Sequence, residues 1–269
     1  MNENDNRKLE YEELYREGAN VPDAALRLYQ IVCVLREKCP WDSIQTHESL
    51  CTCMIEEAYE AVDAIQKNDT ENLREELGDV LLQVVLNGII SEGDGEFTLT
   101  DVINDECEKM IRRHPHIFNE SGDKPIDKVL ERWENVKSKE HGDSRYSDRL
   151  KSVPDALPAL MRAGKVQKRA AQIVRDYSDT DDAMAGTVEA IERLKESLSC
   201  GDQARAETAL GDALFSLTGI ARVRGIDPEA ALNRRTSEFV TCFESVEESV
   251  RSRGADMRAL QMKDLNKRG

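Results

Sequence analysis

Glu57 and Glu60 stand three residues apart, and so do Glu76 and Asp79. Three residues is close to one helical turn, so on helices each pair shares a face. Between the pairs, Lys67-Asn68-Asp69-Thr70 is polar and carries capping residues, which predicts an antiparallel helical hairpin. Counted from Asn68, Glu60 and Glu76 each lie eight residues away, Glu57 and Asp79 eleven. With a rise of 1.5 Å per residue, the couples sit about 12 Å and about 16 Å from the turn, so the four carboxylates meet level with one another. Acids converging in this way repel, and protonation or a bound cation relieves them. An oxygen-only donor set favours a hard ion, Mg2+ first and Mn2+ second; no thiol or imidazole falls within the pattern to suit zinc or copper. Acidic pairs are also common on solvated helix faces, and this chain has 53 acidic residues. The second pair, however, runs straight into Val80-Leu81-Leu82-Gln83-Val84-Val85-Leu86, which is too apolar for a solvated helix. Gly78, at a helix-interior cost of about 1 kcal/mol, predicts close approach by a neighbour or ligand.

A cationic partner lies downstream. Lys109, Arg112 and Arg113 fall at i, i+3 and i+4 on one helical face, followed by His114-Pro115-His116. Basic residues in a last turn also complement the helix dipole. Beside an acidic metal site, a Lys/Arg fork gains a second use: gripping a polyphosphate and stabilising charge on departing pyrophosphate. For His114 and His116, capping or packing competes with contact to phosphate. Trp41, in a short loop after Pro40, is either core filler or a surface for stacking on a base.

The elements that must position these groups are helical throughout, and the fold class is all-α. Leu26, Tyr29, Ile31, Val34 and Leu35 mark a first helix, ended by Cys39-Pro40-Trp41-Asp42. Leu50, Met54, Ala58, Ala61 and Ile65 form the apolar stripe of a second, and Leu73, Leu77, Val80, Leu81 and Val84 that of a third, so the acids border the buried seam. Gly93-Asp94-Gly95 is a turn, Leu99 to Arg113 a fourth helix stopped by Pro115, and Ile126 to Lys139 another. A polar, irregular stretch from Glu140 to Ser152 marks the domain boundary. The expected organisation is a polar extension over 1–21, a catalytic helical domain over 22–143, a linker over 144–153 and a second helical domain over 154–269.

With 269 residues and 39% hydrophobic content, the chain can bury one large core or two ordinary ones. Its charged N-terminus lacks a signal-peptide core, and no run approaches the ~18 apolar residues of a membrane span, so the expectation is a cytoplasmic protein without membrane contact. Seven cysteines without a C-x-x-C pair indicate neither a disulfide framework nor a zinc site. A formal charge of −16 argues against a nucleic-acid partner, though not against a small polyphosphate presented with its metal.

From Leu26 to Phe118 the residues resemble the MazG-type nucleoside triphosphate pyrophosphohydrolases. The resemblance is carried by Leu35-Arg36 leading to Cys39-Pro40-Trp41-Asp42, then Gln45-Thr46-His47, Glu56-Glu57-Ala58-Tyr59-Glu60, Asp63-Ala64-Ile65, Glu75-Glu76-Leu77-Gly78-Asp79, Leu81-Leu82-Gln83-Val84-Val85 and Arg112-Arg113-His114-Pro115-His116-Ile117-Phe118. It implies magnesium ligation by Glu57, Glu60, Glu76 and Asp79 with Glu56 in support, and triphosphate contacts from Lys109, Arg112 and Arg113. It also implies an all-α fold, a homodimer, and hydrolysis of a nucleoside triphosphate to monophosphate and pyrophosphate, a reaction suited to housecleaning of the nucleotide pool.

The second half looks like a decayed copy. With Leu210-Gly211-Asp212 set on Leu77-Gly78-Asp79, Ala190 meets Glu57, Arg193 meets Glu60 and Ala209 meets Glu76, so only Asp212 survives of the four ligands. The basic segment expected of the family reads Glu238-Phe239-Val240-Thr241-Cys242. Catalysis is therefore assigned to the first half. Two other classes compete: a catalytically inactive nucleotide-binding or scaffold protein, and a di-iron oxidoreductase, which requires Glu-x-x-His pairs that neither acidic cluster contains.

Overall fold

The computed structural model describes residues 11–118 and 145–260. Among them are ten α-helices and no strand. The chain divides into two compact units, Met1–Trp133 and Glu134–Gly269.

In the first unit, α1 (Val21–Lys38) is opened by Asn20, whose side chain accepts from the Asp23 amide, and closes at Cys39 before Pro40. The helix α2 (His47–Lys67) starts at a reciprocal capping box: the Ser49 amide donates to Thr46 Oγ1 at 3.2 Å and the Thr46 amide to Ser49 Oγ at 2.9 Å. It ends at Asn68, which adopts the left-handed conformation (φ 56°) that a tight C-cap requires. Asp69 then caps α3 (Thr70–Asp94), accepting from the Asn72 amide at 3.1 Å. Two residues thus reverse the chain and place α2 against α3 along their length. A core of Val32, Leu50, Val85, Leu86 and Ile90 joins α1, α2 and α3. Helix α4 (Leu99–Arg113), opened by a Thr98–Asp101 capping box, packs its first residue on Gly88, and α5 (Pro115–Phe118) follows.

Several expectations change here. Gly78 has open space where a Cβ would point, so no close approach is made there among the described residues; the tight glycine of α3 is Gly88, where a Cβ would lie 3.1 Å from Leu99 Cδ1. The hairpin stripes divide into two lines. Leu50 and Ala61 are buried, but Met54, Ile65, Leu77, Leu81 and Val84 are exposed. A helix carrying apolar residues around more than half its girth presents two faces, and α1 covers only one of them. Gly93 and Asp94 belong to α3, with Gly95 alone as its left-handed cap. The helix expected over 126–139 lies outside the described residues, and the stretch expected to be irregular up to Ser152 contains α6 (Tyr146–Lys151).

The second unit contains α7 (Ala159–Ala171), α8 (Thr180–Ser199), α9 (Gln203–Val223) and α10 (Pro228–Ser252). Its hairpin repeats the first at a constant offset. Helix α8 starts at 180 and α2 at 47, while α9 starts at 203 and α3 at 70, a difference of 133 in both cases. The same offset relates the left-handed Gly201 to Asn68 and the capping Asp202, which accepts from the Arg205 amide, to Asp69. Where the first hairpin has Glu57 and Glu76, the second has the buried Ala190 and Ala209, and Ala183, Ala206 and Ala213 are buried along the same seam.

Candidate metal centre

The hairpin register places Glu60 opposite Glu76 and Glu57 opposite Asp79, and the side chains converge as that register requires. Oxygens of Glu57, Glu76 and Asp79 all lie within 4.8 Å of one another. Opposite ligands on one magnesium ion are about 4.2 Å apart, twice a bond of about 2.1 Å, so small rotamer changes close the set on a single ion. Glu76 is buried, with 8% of its surface exposed, whereas Glu57 and Asp79 are half-buried. Glu60 is exposed and is not one of that trio, but its side chain hydrogen-bonds Glu76. Glu56 is exposed beside Glu57.

The electrostatics are those of a site short of positive charge. Desolvation raises the Glu76 carboxyl above the ordinary glutamate value, followed by the Glu60 charge, the hydrogen bond to Glu60, and the charges of Asp79 and Glu57. Glu57 is raised first by desolvation, then by Asp79, Glu60 and Glu56. All these charged neighbours are carboxylates. Such a donor set, oxygen-only and mutually repelling, fits a hard divalent cation.

The basic residues are arranged differently. Lys109, half-buried in the third turn of α4, pairs with Glu106 one turn earlier. Arg112 and Arg113 occupy the last turn of the same helix. His114 caps that helix, its Nδ1 2.7 Å from the Met110 carbonyl, which matches the capping role weighed from the sequence. Trp41 keeps 56% of its surface, so it is not core filler in this chain; the Gln45 amide donates to its carbonyl and fixes the loop.

One network escapes the acidic pattern. His47, the first residue of α2, has its Nδ1 2.6 Å from Asn87 Oδ1 and its Nε2 3.0 Å from Ser91 Oγ. Asn87 Nδ2 donates to the Gln83 carbonyl at 2.8 Å, which leaves Oδ1 for His47. Nδ1 therefore carries the proton, and Nε2 accepts from the Ser91 hydroxyl. The order resembles a nucleophilic triad, but Ser91 is wholly buried and lies about 18 Å along the helix from the level of Asp79, so the network clamps the start of α2 to the end of α3. Its sequence signal is Gln83, Asn87 and Ser91 at intervals of four within an otherwise apolar run.

The sequence profile of the MazG nucleotide pyrophosphohydrolase domain matches residues 45–118, which span the acidic hairpin and the basic turn of α4. The nucleoside triphosphate pyrophosphohydrolase/pyrophosphatase MazG of Thermotoga maritima is 40% identical to this chain over 231 residues, covering 86% of this chain and 87% of its own. The chain belongs to the MazG family. A nucleoside triphosphate pyrophosphohydrolase of Escherichia coli is 35% identical over 244 residues, 89% of this chain and 93% of its own. A crystal structure of a MazG-related protein from T. maritima, 30% identical, aligns over 42% of this chain and 98% of its own with a TM-score of 0.38. Both relatives align across most of the chain, so the kinship takes in the second unit as well as the acidic hairpin. Among the described residues, no helix is long and apolar enough to cross a membrane.

Proposed function

We propose that the first unit hydrolyses nucleoside triphosphates to monophosphate and pyrophosphate with magnesium held by Glu57, Glu60, Glu76 and Asp79, as a homodimer. The observation that carries this reading is the convergence of Glu57, Glu76 and Asp79, in a chain aligned over most of its length with nucleoside triphosphate pyrophosphohydrolases. A divalent ion held there offsets the carboxylates' repulsion and the negative charge of the triphosphate. The protein's own groups do the remaining work. Buried Glu76 anchors the site at a fixed height on α3, and Glu57 and Asp79 close it from both sides of the hairpin. Glu60 completes the set from the rim, and Glu56, exposed beside Glu57, orients the water that attacks phosphorus. Lys109, Arg112 and Arg113 grip the outer phosphates and stabilise pyrophosphate as the bond between the α and β phosphates breaks. Exposed Trp41 offers a face for the base.

The homodimer rests on the uncovered face of the hairpin. Met54, Ile55, Ile65, Leu77 and Leu81 are each exposed, an apolar surface of the kind a self-complementary two-fold interface buries. Nucleotide-pool housecleaning is the physiological role that fits such a reaction. The deciding assay is chromatography of the products from a panel of canonical and altered nucleoside triphosphates, with and without magnesium. Monophosphate and pyrophosphate are expected; diphosphate and orthophosphate, or no turnover at all, would overturn the reading.

A further inference from the structure

The polar side chains on the inner face of α3 do not stop at Asp79. Gln83 follows one turn later, about 6 Å along the axis, and keeps only 7% of its surface. Its Oε1 is sealed from solvent and has no hydrogen-bond partner among the described residues. Burying an acceptor without a partner costs stability, and a donor brought by a ligand would offset that cost. Its backbone, by contrast, is firmly held: the Gln83 carbonyl accepts from Asn87, which is locked through His47 to buried Ser91. The terminal torsion of a glutamine is broad and two-fold, so a small rotation can turn either end of the amide to the same point.

Polarity along the seam indicates what that amide meets. The level of Glu60 and Glu76 and the level of Glu57 and Asp79 are anionic. The next level brings Gln83 opposite Cys53, both neutral, and beyond it lie Leu50 and Leu86 of the core. A nucleoside triphosphate has the same gradient, with charged phosphates at one end and a neutral sugar and base at the other. Laid with its phosphates at the acidic levels, it brings its neutral end to Gln83.

We propose that Gln83 is a substrate contact whose amide hydrogen-bonds the nucleoside, at a sugar hydroxyl or at the edge of the base. This rests on the pyrophosphohydrolase reading of the same site. Its test uses the full chain carrying Gln83→Met, a substitution close in shape that removes the amide, beside the wild type. Mn2+ affinity by electron paramagnetic resonance should be unchanged and the melting temperature equal or higher. The kcat/KM for nucleoside triphosphates should fall about tenfold, the worth of one hydrogen bond. A 2′-deoxy, 3′-deoxy or base-altered nucleotide that lacks the contacted group should lose the same factor in the wild type and nothing further in the variant, which identifies the group. Unchanged kcat/KM across the panel overturns the proposal, as does a fall in Mn2+ affinity that matches the fall in rate. If the wild type releases no pyrophosphate, the functional reading fails on its own, and the contact is still decided by calorimetric binding of nucleotide with magnesium, where equal affinity in wild type and variant overturns it. Should Gln83→Met fail to fold, Gln83→Asn, which draws the amide back by one carbon, is expected to show the same selective loss; wild-type kinetics in that folded variant would overturn the contact.

Discussion

Glu76 is the residue on which sequence, burial and charge agree most closely, and it carries two predictions. Glu76→Gln should lower the rate of pyrophosphate release by about 100-fold or more, beyond what loss of an outer-shell partner usually costs; a rate within a few-fold of wild type would remove Glu76 from the site. The same change should raise the melting temperature of the metal-free protein, because a neutral amide replaces a desolvated acid among acids. The pH dependence has a definite sign. The folded carboxyl is raised, so between the ordinary glutamate value and the raised one the folded chain holds a proton that the unfolded chain has lost. Stability from this group is thus intact at acid pH and is lost as pH rises through the folded value. The gap in melting temperature between Glu76→Gln and wild type, measured in chelator, should open with rising pH and narrow when magnesium is added. A gap that shrinks with rising pH would mean that a cation, not a set of acids, surrounds Glu76.

At the scale of elements, two glycines of α3 predict opposite outcomes. Gly78→Ala fills open space in a helix interior and should add about 1 kcal/mol. Gly88→Ala pushes against Leu99 and should cost about 1–3 kcal/mol by crowding the start of α4. Denaturant melts of both variants check the pair, and a loss at Gly78 would show that a second molecule packs there. Much at this level was legible in the sequence, because caps and turns are written in neighbouring residues. Lys67 to Thr70 gave the reversal, Pro115 the stop after α4, and the count from Asn68 the level meeting of the acids. What escaped depends on contacts between helices. Periodicity marks Leu50 and Leu81 alike as apolar, yet only Leu50 meets α1 and is buried. The partners of His47 lie 40 and 44 residues away, a pairing that only the folded hairpin creates.

For the whole molecule, the two units carry one topology with different seams. Asp212 is exposed between alanines where its counterpart Asp79 stands among acids, so Asp212→Asn should leave turnover near wild type while Glu76→Gln abolishes it. The reverse result would move the active site to the second unit. A charge placed on the uncovered face, Leu81→Glu, should give monomers in analytical ultracentrifugation with the unit still folded, since Leu81 is half exposed in the single chain. The alanine seam has one more consequence. Its hairpin closes on Ala190 and Ala209, whereas at the counterpart positions Glu57 and Glu76 carry carboxyls raised by burial and by one another's charge. The molecule therefore contains its own internal reference. In hydrogen exchange, amides over 57–79 should slow when magnesium is added while those over 190–212 keep their rates, so one experiment on one chain separates ion binding from any general effect of salt.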